Sequence, residues 1–389
     1  MQLSRRMNYL KASEIRDLLK LTEQPEMISF SGGMPAPELF PSEVIRQAMN
    51  SVLAEKSEIA LQYACTEGYT PLREKIAHRM EAKFQVRLTK EQVLVTNGSQ
   101  QCLDFTGRLF LDEGSVVLCE SPTYLAAINA FRAYMPRFVE MPTDSDGVKP
   151  DCLEKLMKTI DGIRLIYVIP DFQNPTGNSW SLERRKAFMD VISRFDIPVL
   201  EDNPYGELRY EGRHLPSLMS MDKKGQVVFA GTFSKILCPG FRVGWIAAEA
   251  DIIRKYALLK QGADLHTAIA TQMCIHEILE TFDLESHILK LQQVYRSRRD
   301  IMLDAISRFL PGYVQPSRPQ GGLFLWLTLP DGMNARELLE KSLRNKVAFV
   351  LGGSFFPNGG HENTMRLNYS YSPEAVIVEG IRRLGEVMV

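Results

Sequence analysis

The sequence predicts an α/β protein with a large domain on a mostly parallel sheet and a smaller α+β domain. Between about residue 90 and residue 250, short apolar runs alternate with longer helical patterns, and the C-terminal part mixes strand and helix patterns. Continuous apolar strands separated by helices indicate a parallel sheet that is covered on both faces. A chain of 389 residues can also bury cores large enough for two domains.

Six apolar runs are the predicted strands of the large domain, and several are bounded by Gly, Pro or Asn. In chain order, they are VLVTNG, SVVLCESP, LIYVIPDFQNP, IPVLEDNPYG, VVFAGTFSK and VGWIAAE. Residues 251–309 follow, where heavy charge and apolar positions at three- and four-residue spacing predict a helix that joins the two domains. We therefore assign residues 49–285 to the large domain.

The smaller domain is predicted to combine residues 1–48 with residues 286–389. Its C-terminal part contains strand-like runs, a helical stretch and a closing helix. These are the strands GGLFLWLTLP, VAFVLG and TMRLNYSY and the helix ARELLEKSL.

Composition excludes several classes of partner. Lys+Arg number 46 against 47 Asp+Glu, so the net charge of -1 supplies no basic field for nucleic acid or an anionic membrane. The six cysteines are scattered without metal-ligand spacing, which predicts reduced thiols and no metal site. The N-terminus lacks the apolar stretch of a signal peptide, and no run approaches the roughly 18 apolar residues of a membrane span. These features predict a cytoplasmic protein.

Polar residues follow the predicted strands at the edge where parallel sheets bind ligands. VLVTN runs into Gly98 and Ser99 and then a helix, whose free N–H groups and positive end suit a phosphate. An ordinary helix cap at Ser99 is the alternative. Tyr124 in SPTY could stack on a planar ring or simply pack in the core. Asn174 lies in the turn Asn-Pro-Thr-Gly, where it could face a ligand or serve the turn alone.

The strand IPVLEDNPY delivers Glu201 and Asp202 at the end of an apolar run. An unpaired carboxylate is strongly disfavoured there, so one of them needs a cationic partner. Strand alternation points the two to opposite faces, and only one can face the site, together with Tyr205. Farther along, GTFSKILCPGFRVGW places Lys235 among hydroxyls and glycines with Arg242 nearby.

One ligand accounts for all of these groups, a planar cationic heterocycle with a phosphate and an aldehyde, which is pyridoxal phosphate. Lys235 would form the Schiff base, and Asp202 would keep the ring nitrogen protonated. Asn174 and Tyr205 would hold the ring hydroxyl. Nearby positive charge and burial would lower the pKa of Lys235, so that its amine can act as a base. The phosphate ligands would be Ser99, the amide of Gln100, Ser234 and Arg242.

These motifs resemble the fold type I pyridoxal phosphate enzymes, specifically class I/II aminotransferases of the 2-aminoadipate and kynurenine group. The resemblance spans nearly the whole chain. Two departures are visible: Thr232 and Cys238 replace the usual serine and small residue, and LGGSFF replaces a common Pro-Gly. The motifs in family order are FSGGMPAPELFP, LQYACTEGYTPLR, TNGSQQCLD, SPTY, PDFQNPTG, EDNPYGELRY, GTFSKILCPGFRVGW, GGLFLW and MRLNYS.

The resemblance implies an aminotransferase that works in two half-reactions, with 2-oxoglutarate as the amino acceptor. It implies that Arg366 binds the α-carboxylate of the substrate, helped by Asn174 and the backbone of Gly33. Without the family, Arg366 would be interpreted as a surface or ion-pair arginine. Tyr63 would reach the phosphate of the partner subunit in a homodimer.

The stretch KASEIRDLLKL predicts an amphipathic helix capped by Ser13. In the resembled group, the N-terminal segment covers the substrate pocket. We expect Arg16 to meet the distal carboxylate of glutamate or 2-aminoadipate and to swing away for apolar donors. A solvated Arg16 is the alternative.

Two other functions use the same fold. A pyridoxal phosphate lyase or decarboxylase would need no 2-oxo acid acceptor. The effector domain of a transcription regulator would bind cofactor without turnover, but the sequence has no basic recognition helix. The sequence leaves the amino donor open among 2-aminoadipate, glutamate, aromatic and aliphatic amino acids.

Overall fold

The computed structural model describes residues 2–10 and 26–388. The strands are β1 Ile28–Ser29, β2 Val93–Thr96, β3 Val116–Glu120, β4 Arg137–Met141, β5 Thr143–Asp144, β6 Gly147–Val148, β7 Ile163–Val168, β8 Val199–Asp202, β9 Val227–Thr232, β10 Gly244–Ala247, β11 Gln315–Pro316, β12 Phe324–Thr328, β13 Val347–Ala348, β14 Val350–Leu351 and β15 Thr364–Asn368. The helices are α1 Ser42–Ala60, α2 Thr70–Phe84, α3 Ser99–Phe110, α4 Leu125–Arg132, α5 Pro150–Thr159, α6 Leu182–Ile192, α7 Ala250–Gln261, α8 Ile269–Thr281, α9 Leu284–Phe309, α10 Ala335–Arg344 and α11 Glu374–Glu386.

The large sheet has seven strands in the order β2-β10-β9-β8-β7-β3-β4. Its pairs are parallel except where β10 meets β2 and β9. The predicted α/β class with a mostly parallel sheet is therefore confirmed. The sequence pattern did not predict β4, an edge strand whose residues are mostly exposed or half-buried. Such a strand lacks the continuous apolar run that identified the others.

Helices cover both faces of this sheet. Successive strand residues point to opposite sides, and the apolar side chains on each side pack against a separate set of helices. Leu165 and Tyr167 of β7 pack in a core with helices α3, α4 and α7. Ile166 and Val168 face the other way, into a core with α5 and α6. The strands β2, β7, β8 and β9 all end at one edge, where the polar motifs of the sequence meet.

The smaller domain contains the antiparallel sheet β11-β12-β15-β14 together with α10 and α11. The predicted strand VAFVLG is split at Phe349: β13 pairs in parallel with β1, and β14 joins the four-stranded sheet. The predicted helical stretch 251–309 is three helices, α7, α8 and α9. It is interrupted before α9, where the Asp283 side chain caps the new helix by accepting from the amide of Ser286.

The predicted domain limits fall inside helices, the first within α1 and the second at the start of α9. The division into 49–285 and the remainder stays a prediction. Within the described parts of the chain, we found no helix that is both long and apolar enough to cross a bilayer. The six cysteines are free thiols; Cys102, Cys119 and Cys274 are buried, and Cys65 is exposed.

Candidate active site

A cavity of about 270 Å³ opens at the carboxyl edge of the large sheet and extends to the smaller domain. Every site residue predicted from the sequence lines it except Tyr63 and Arg16. Tyr63 is 78% exposed, with its ring edge against His266. Arg16 and its predicted cap Ser13 lie outside the described residues. The lining residues are Gly33, Met34, Ser99, Gln100, Tyr124, Ile169, Asn174, Asp202, Pro204, Tyr205, Thr232, Ser234, Lys235, Pro239, Arg242 and Arg366.

Lys235 follows β9 and points into this cavity. Its Nζ donates to the backbone carbonyl of Gly33 at 2.8 Å. Burial lowers the pKa of Lys235 to about 8, and the charges of Arg242 and Arg366 act in the same direction. An amine with this pKa is available as a nucleophile or a base near neutral pH, whereas an ordinary lysine is not.

The two carboxylates at the end of β8 point to opposite faces, as strand alternation requires. Glu201 faces away from the cavity and accepts from the Ser217 hydroxyl at 2.6 Å and from two backbone amides. Asp202 lines the cavity, where its Oδ2 accepts from the Tyr167 hydroxyl at 2.8 Å. Its Oδ1 is buried without a hydrogen-bond partner among the described residues. Burial raises the pKa of Asp202 to about 7, against the lowering effect of Tyr167.

Helix α3 begins at the cavity with Gly98, and not Ser99, as its cap. Gly98 has φ 70°, and no side chain caps the helix, so its first N–H groups are open to an anion. A Cβ on Gly98 would lie 2.5 Å from a guanidinium nitrogen of Arg242, so a larger residue would displace this guanidinium and would also be strained at this positive φ. Arg242 makes no ion pair with a carboxylate in the described ranges 2–10 and 26–388. The helix end and Arg242 together form a site for a phosphate-sized anion.

Arg366 of β15 also lines the cavity and is 1% exposed. Its guanidinium donates to Asn174 Oδ1 at 2.8 Å and to the carbonyl of Ser31 at 2.6 Å. It lies 4.2 Å from the centre of the Phe324 ring, and burial lowers its pKa to about 10. The structure pairs it with no carboxylate among the described residues. The interpretation as a surface or ion-pair arginine is therefore wrong, and its charge is available to a carboxylate ligand.

The two tyrosines of the cavity, Tyr124 and Tyr205, both have hydroxyls whose pKa is raised by their surroundings. Burial raises the pKa of the Tyr124 hydroxyl, and the charge of Asp202 adds to this effect. Burial likewise raises the pKa of Tyr205 well above its usual value, against a hydrogen bond with Asn174. The Tyr205 ring packs edge-on against Phe324 at 5.7 Å. Both hydroxyls therefore stay protonated and can donate near neutral pH.

Sequence reasoning missed residues that act on the site from neighbouring strands. One of them is Tyr167. Its side chain lies on the same face of the sheet as that of Asp202, but this can be recognised only when the register of β7 and β8 is known. Ser31 and Phe324, which contact Arg366, were quoted only within motifs. Thr232 donates to the Ser234 hydroxyl at 2.9 Å and so orients one predicted phosphate ligand.

The residues present fit pyridoxal phosphate. The unpartnered Oδ1 of Asp202 suits a cationic ring nitrogen, and the open helix end with Arg242 suits the phosphate dianion. The Lys235 amine suits an aldehyde, and Arg366 suits a carboxylate beyond it. Asp202 would otherwise carry a buried charge with one hydrogen bond, which is costly without a cationic ligand. The arrangement defines an enzyme that handles amino acids through a bound aldehyde.

Comparison with known proteins agrees with this class. The sequence matches the family of class I and II aminotransferases over residues 25–384, and the chain belongs to that family. The aromatic-amino-acid aminotransferase 1 of Thermococcus litoralis is 44% identical over 97% of this chain and 92% of its own length. The 2-aminoadipate transaminase of Thermus thermophilus is also 44% identical, over 97% of this chain and 94% of its own.

Solved structures resemble the whole chain as well. The α-aminoadipate aminotransferase of Thermus thermophilus, complexed with N-(5'-phosphopyridoxyl)-L-leucine, has 43% identity and a TM-score of 0.93, covering 99% of this chain and 97% of its own. The kynurenine aminotransferase of Pyrococcus horikoshii, in complex with PMP, has 40% identity and a TM-score of 0.95, covering 99% and 96%. The chain is therefore an aminotransferase of fold type I.

Proposed function

We propose that this aminotransferase moves the amino group of an L-amino acid to 2-oxoglutarate. Its cofactor is pyridoxal phosphate. The observation that carries the proposal is one cavity that joins a lysine of lowered pKa, a buried carboxylate with a free oxygen and a buried arginine without a carboxylate. Few ligands other than an amino acid on this cofactor need all three.

We assign the cofactor contacts as follows. Asp202 would pair with the ring nitrogen, and Asn174 and Tyr205 would hold the ring hydroxyl. Tyr124 would stack on the ring. The phosphate ligands would be Ser99, the amide of Gln100, Ser234 and Arg242, with Tyr63 of the partner subunit.

When bound, the cofactor supplies an aldehyde that takes up the amino group and a ring that accepts the electron pair left at Cα. Arg366 binds the α-carboxylate with two parallel hydrogen bonds, with Asn174 and the backbone of Gly33 beside it. The amine of Lys235, once free, would take the Cα proton and return it to the carbon that was the aldehyde carbon of the cofactor. Asp202 stays ionised and holds the ring nitrogen in its protonated form.

The substrate class follows from this site and from the named relatives. We propose 2-aminoadipate, glutamate, aromatic and aliphatic amino acids as donors. Arg16 is the proposed contact of a distal carboxylate. The variant Arg16→Gln should raise KM for acidic donors by about tenfold and leave leucine or phenylalanine nearly unaffected, since it removes one charge-assisted pair. An equal change for acidic and apolar donors would reject that role.

The function is tested by incubating purified holoenzyme with single amino donors and 2-oxoglutarate and measuring glutamate formation. Consumption of the amino donor without any added 2-oxo acid would instead indicate a lyase or decarboxylase. Borohydride should attach the cofactor to the peptide that contains Lys235 in the native protein but not in Lys235→Ala. Cofactor attached elsewhere in that variant, or retained transamination, would overturn the assignment of Lys235.

We further propose that the protein works as a homodimer in the cytoplasm. This proposal is supported by exposed apolar side chains that a partner subunit could cover, at Ile59, Leu61, Tyr63 and Leu265. Sedimentation velocity should show a dimer, and an active monomer would contradict it. Tyr63→Phe should weaken cofactor binding, whereas Tyr313→Phe, an exposed tyrosine of the smaller domain, should not.

A further inference from the structure

Tyr167 lies beneath the cavity on β7, the strand next to Asp202. The register pairs Tyr167 with Leu200, and Asp202 lies two residues farther along β8 on the same face. Two residues of a strand span roughly 6–7 Å, about the length of a tyrosine side chain. The phenol therefore reaches along the sheet to the carboxylate, where its hydroxyl lies 2.8 Å from Oδ2.

The Tyr167 hydroxyl can only donate in this contact, because an ionised carboxylate only accepts. Burial raises the pKa of Tyr167 well above its ordinary value, and the charge of Asp202 raises it further. The proton therefore stays on the phenol. The ring is fully buried and packs edge-on against Phe131 at 5.6 Å, which leaves the hydroxyl little freedom to move.

The two oxygens of Asp202 consequently differ. Oδ2 is held by Tyr167, whereas Oδ1 is buried and has no partner within the described residues. Holding one oxygen fixes the rotation of the carboxylate about its Cβ–Cγ bond. The free oxygen is then presented to the cavity that Asp202 lines.

We propose that Tyr167 is a positioning residue that fixes the Asp202 carboxylate by donating to Oδ2, so that Oδ1 meets the ring nitrogen of the cofactor. This inference rests on the proposed function, since it assigns a ring nitrogen to that position. Tyr167 does not touch substrate or cofactor in this role. It acts only through Asp202, and its hydrogen bond stabilises the ionised form of this buried carboxylate.

The variant Tyr167→Phe removes one oxygen and leaves the ring in place. The measurement is the dissociation constant of pyridoxal phosphate from the apoenzyme between pH 5.5 and pH 9. We expect binding at pH 8 to weaken by about tenfold, the effect of one hydrogen bond to a charged group. The acid limb of the profile should also move to higher pH, because Asp202 without its donor takes up a proton more readily.

The acid limb is assigned from the difference between variants, because other groups near Tyr167 and Asp202 also titrate. Glu120, whose charge acts on Tyr167, has its pKa raised by burial to about 8, above the acid limb. Burial raises the pKa of the Cys102 thiol on α3 to about 12. Tyr124 and Tyr205 also have raised pKa values, and Lys235, at about 8, belongs to the alkaline limb. The cofactor phosphate titrates near pH 6 and does so in every variant, so only the difference between variants is interpreted.

Tyr256→Phe is the matched control. Tyr256 is fully buried in the same core, and its hydroxyl lies 2.8 Å from the Thr106 hydroxyl, on helices α7 and α3. This variant loses the same atom and a hydrogen bond of the same length. We expect it to lower the melting temperature of the apoenzyme without moving the acid limb.

A second readout observes the ring nitrogen directly. Pyridoxal phosphate labelled with ¹⁵N at the ring should give the resonance of a protonated ring in the native enzyme and in Tyr256→Phe. In Tyr167→Phe, we expect a shift toward the unprotonated position at the same pH. If Tyr167→Phe fails to fold, 3-fluorotyrosine at position 167 is used, and its stronger donor should move the acid limb to lower pH.

An acid limb and a ¹⁵N resonance that are the same in Tyr167→Phe and Tyr256→Phe would overturn the positioning role and leave Tyr167 a packing residue. An unmoved acid limb with fluorotyrosine would do the same. Failure of the proposed function would look different, because the native enzyme itself would then bind no pyridoxal phosphate through Lys235.

Discussion

Asp171 and Asp202 lie just beyond or at the carboxyl ends of the adjacent strands β7 and β8, and both are almost fully buried. Asp171 accepts from Arg185 at 2.6 Å, from Arg209 at 3.4 Å and from the Asn203 amide at 3.0 Å. Asp202 accepts from the Tyr167 hydroxyl alone among the described residues. One carboxylate is thus paired within the protein, and the other is left for a ligand.

The difference appears in their protonation. Burial alone would raise the pKa of Asp171, but the charges of Arg185 and Arg209 and the hydrogen bonds lower it overall. Burial raises the pKa of Asp202 to about 7, because no cation compensates it. The same residue type at the same edge of one sheet is therefore paired with cations in one place and left with a free oxygen in the other, where we propose that it binds the cofactor.

The largest expected effect is the loss of turnover in Asp202→Asn. A neutral amide cannot hold the ring nitrogen protonated, and we expect kcat to fall roughly 10³-fold, as when a charge-stabilising group is removed. The free energy of unfolding of the apoprotein at pH 8 should stay the same or rise, since a poorly paired buried charge is gone. Steady-state kinetics and urea unfolding measure the two. Near-normal turnover would show that Asp202 is not the ring partner.

Asp171→Asn should have the opposite profile, with a large loss of stability. It leaves the buried guanidinium groups of Arg185 and Arg209 without their counter-charge, and breaking a buried pair costs about 3–5 kcal/mol. Urea unfolding of the apoprotein measures this loss. The control is Asp304→Asn, whose ion pair with Arg308 is exposed and should contribute less than about 1 kcal/mol. Equal losses in the two variants would show that the Asp171 cluster is not a stabilising pair.

The two carboxylates should also respond oppositely to pH in the apoprotein. Asp202 has a raised pKa, so its contribution to stability is present below pH 4 and is lost as pH rises to about 7. Asp171 has a lowered pKa, so its contribution is present above the unfolded value near 3.9 and is lost as pH falls through the folded value.

The experiment compares the free energy of unfolding of the native apoprotein and of Asp202→Asn between pH 4 and pH 7. The native protein should lose up to about 3 kcal/mol relative to the variant, most of the effect of the raised pKa, with water in the open cavity reducing the loss. Added pyridoxal phosphate should remove the difference by pairing the carboxylate. A difference that grows toward low pH would contradict the raised pKa.

Much of the cavity could be predicted because its residues directly follow apolar strands. Strand alternation alone predicted that Glu201 and Asp202 point to opposite faces of the sheet, and the motif around Lys235 indicated the cofactor. The Asp171 cluster could not be found in this way. Its partners Arg185 and Arg209 lie on α6 and beyond β8, and only the folded chain brings them together.

The antiparallel direction of β10 likewise could not be predicted from the pattern of apolar residues. An apolar run such as VGWIAAE fits a parallel or an antiparallel place equally well, and its connection from β9 decides between them. The edge strand β4 was missed because its polar residues are those that protect a sheet edge. The proposed carboxylate role of Arg366 depended on family resemblance, since its hydrogen-bonding and ring partners come from distant parts of the chain.

The smallest effect is expected at Asn203, which connects the two carboxylates. It follows Asp202 directly, donates to Asp171 at 3.0 Å and accepts from the amide of Gly206 at 2.9 Å. It therefore ties the turn that carries Tyr205 to the paired cluster. Asn203→Ala removes two buried hydrogen bonds and should cost about 1–3 kcal/mol of stability.

Because Asn203 does not line the cavity, Asn203→Ala should lower kcat only a few-fold and leave KM for the amino donor nearly unchanged. The loosened turn lets Asp202 and Tyr205 depart from their positions, which affects the chemical step more than binding. Asn345→Ala, which removes a hydrogen bond to the carbonyl of Arg383 far from the cavity, should lower stability without changing kcat. If Asn203→Ala also leaves kcat unchanged, the paired cluster supports only the fold, and the two carboxylates act independently.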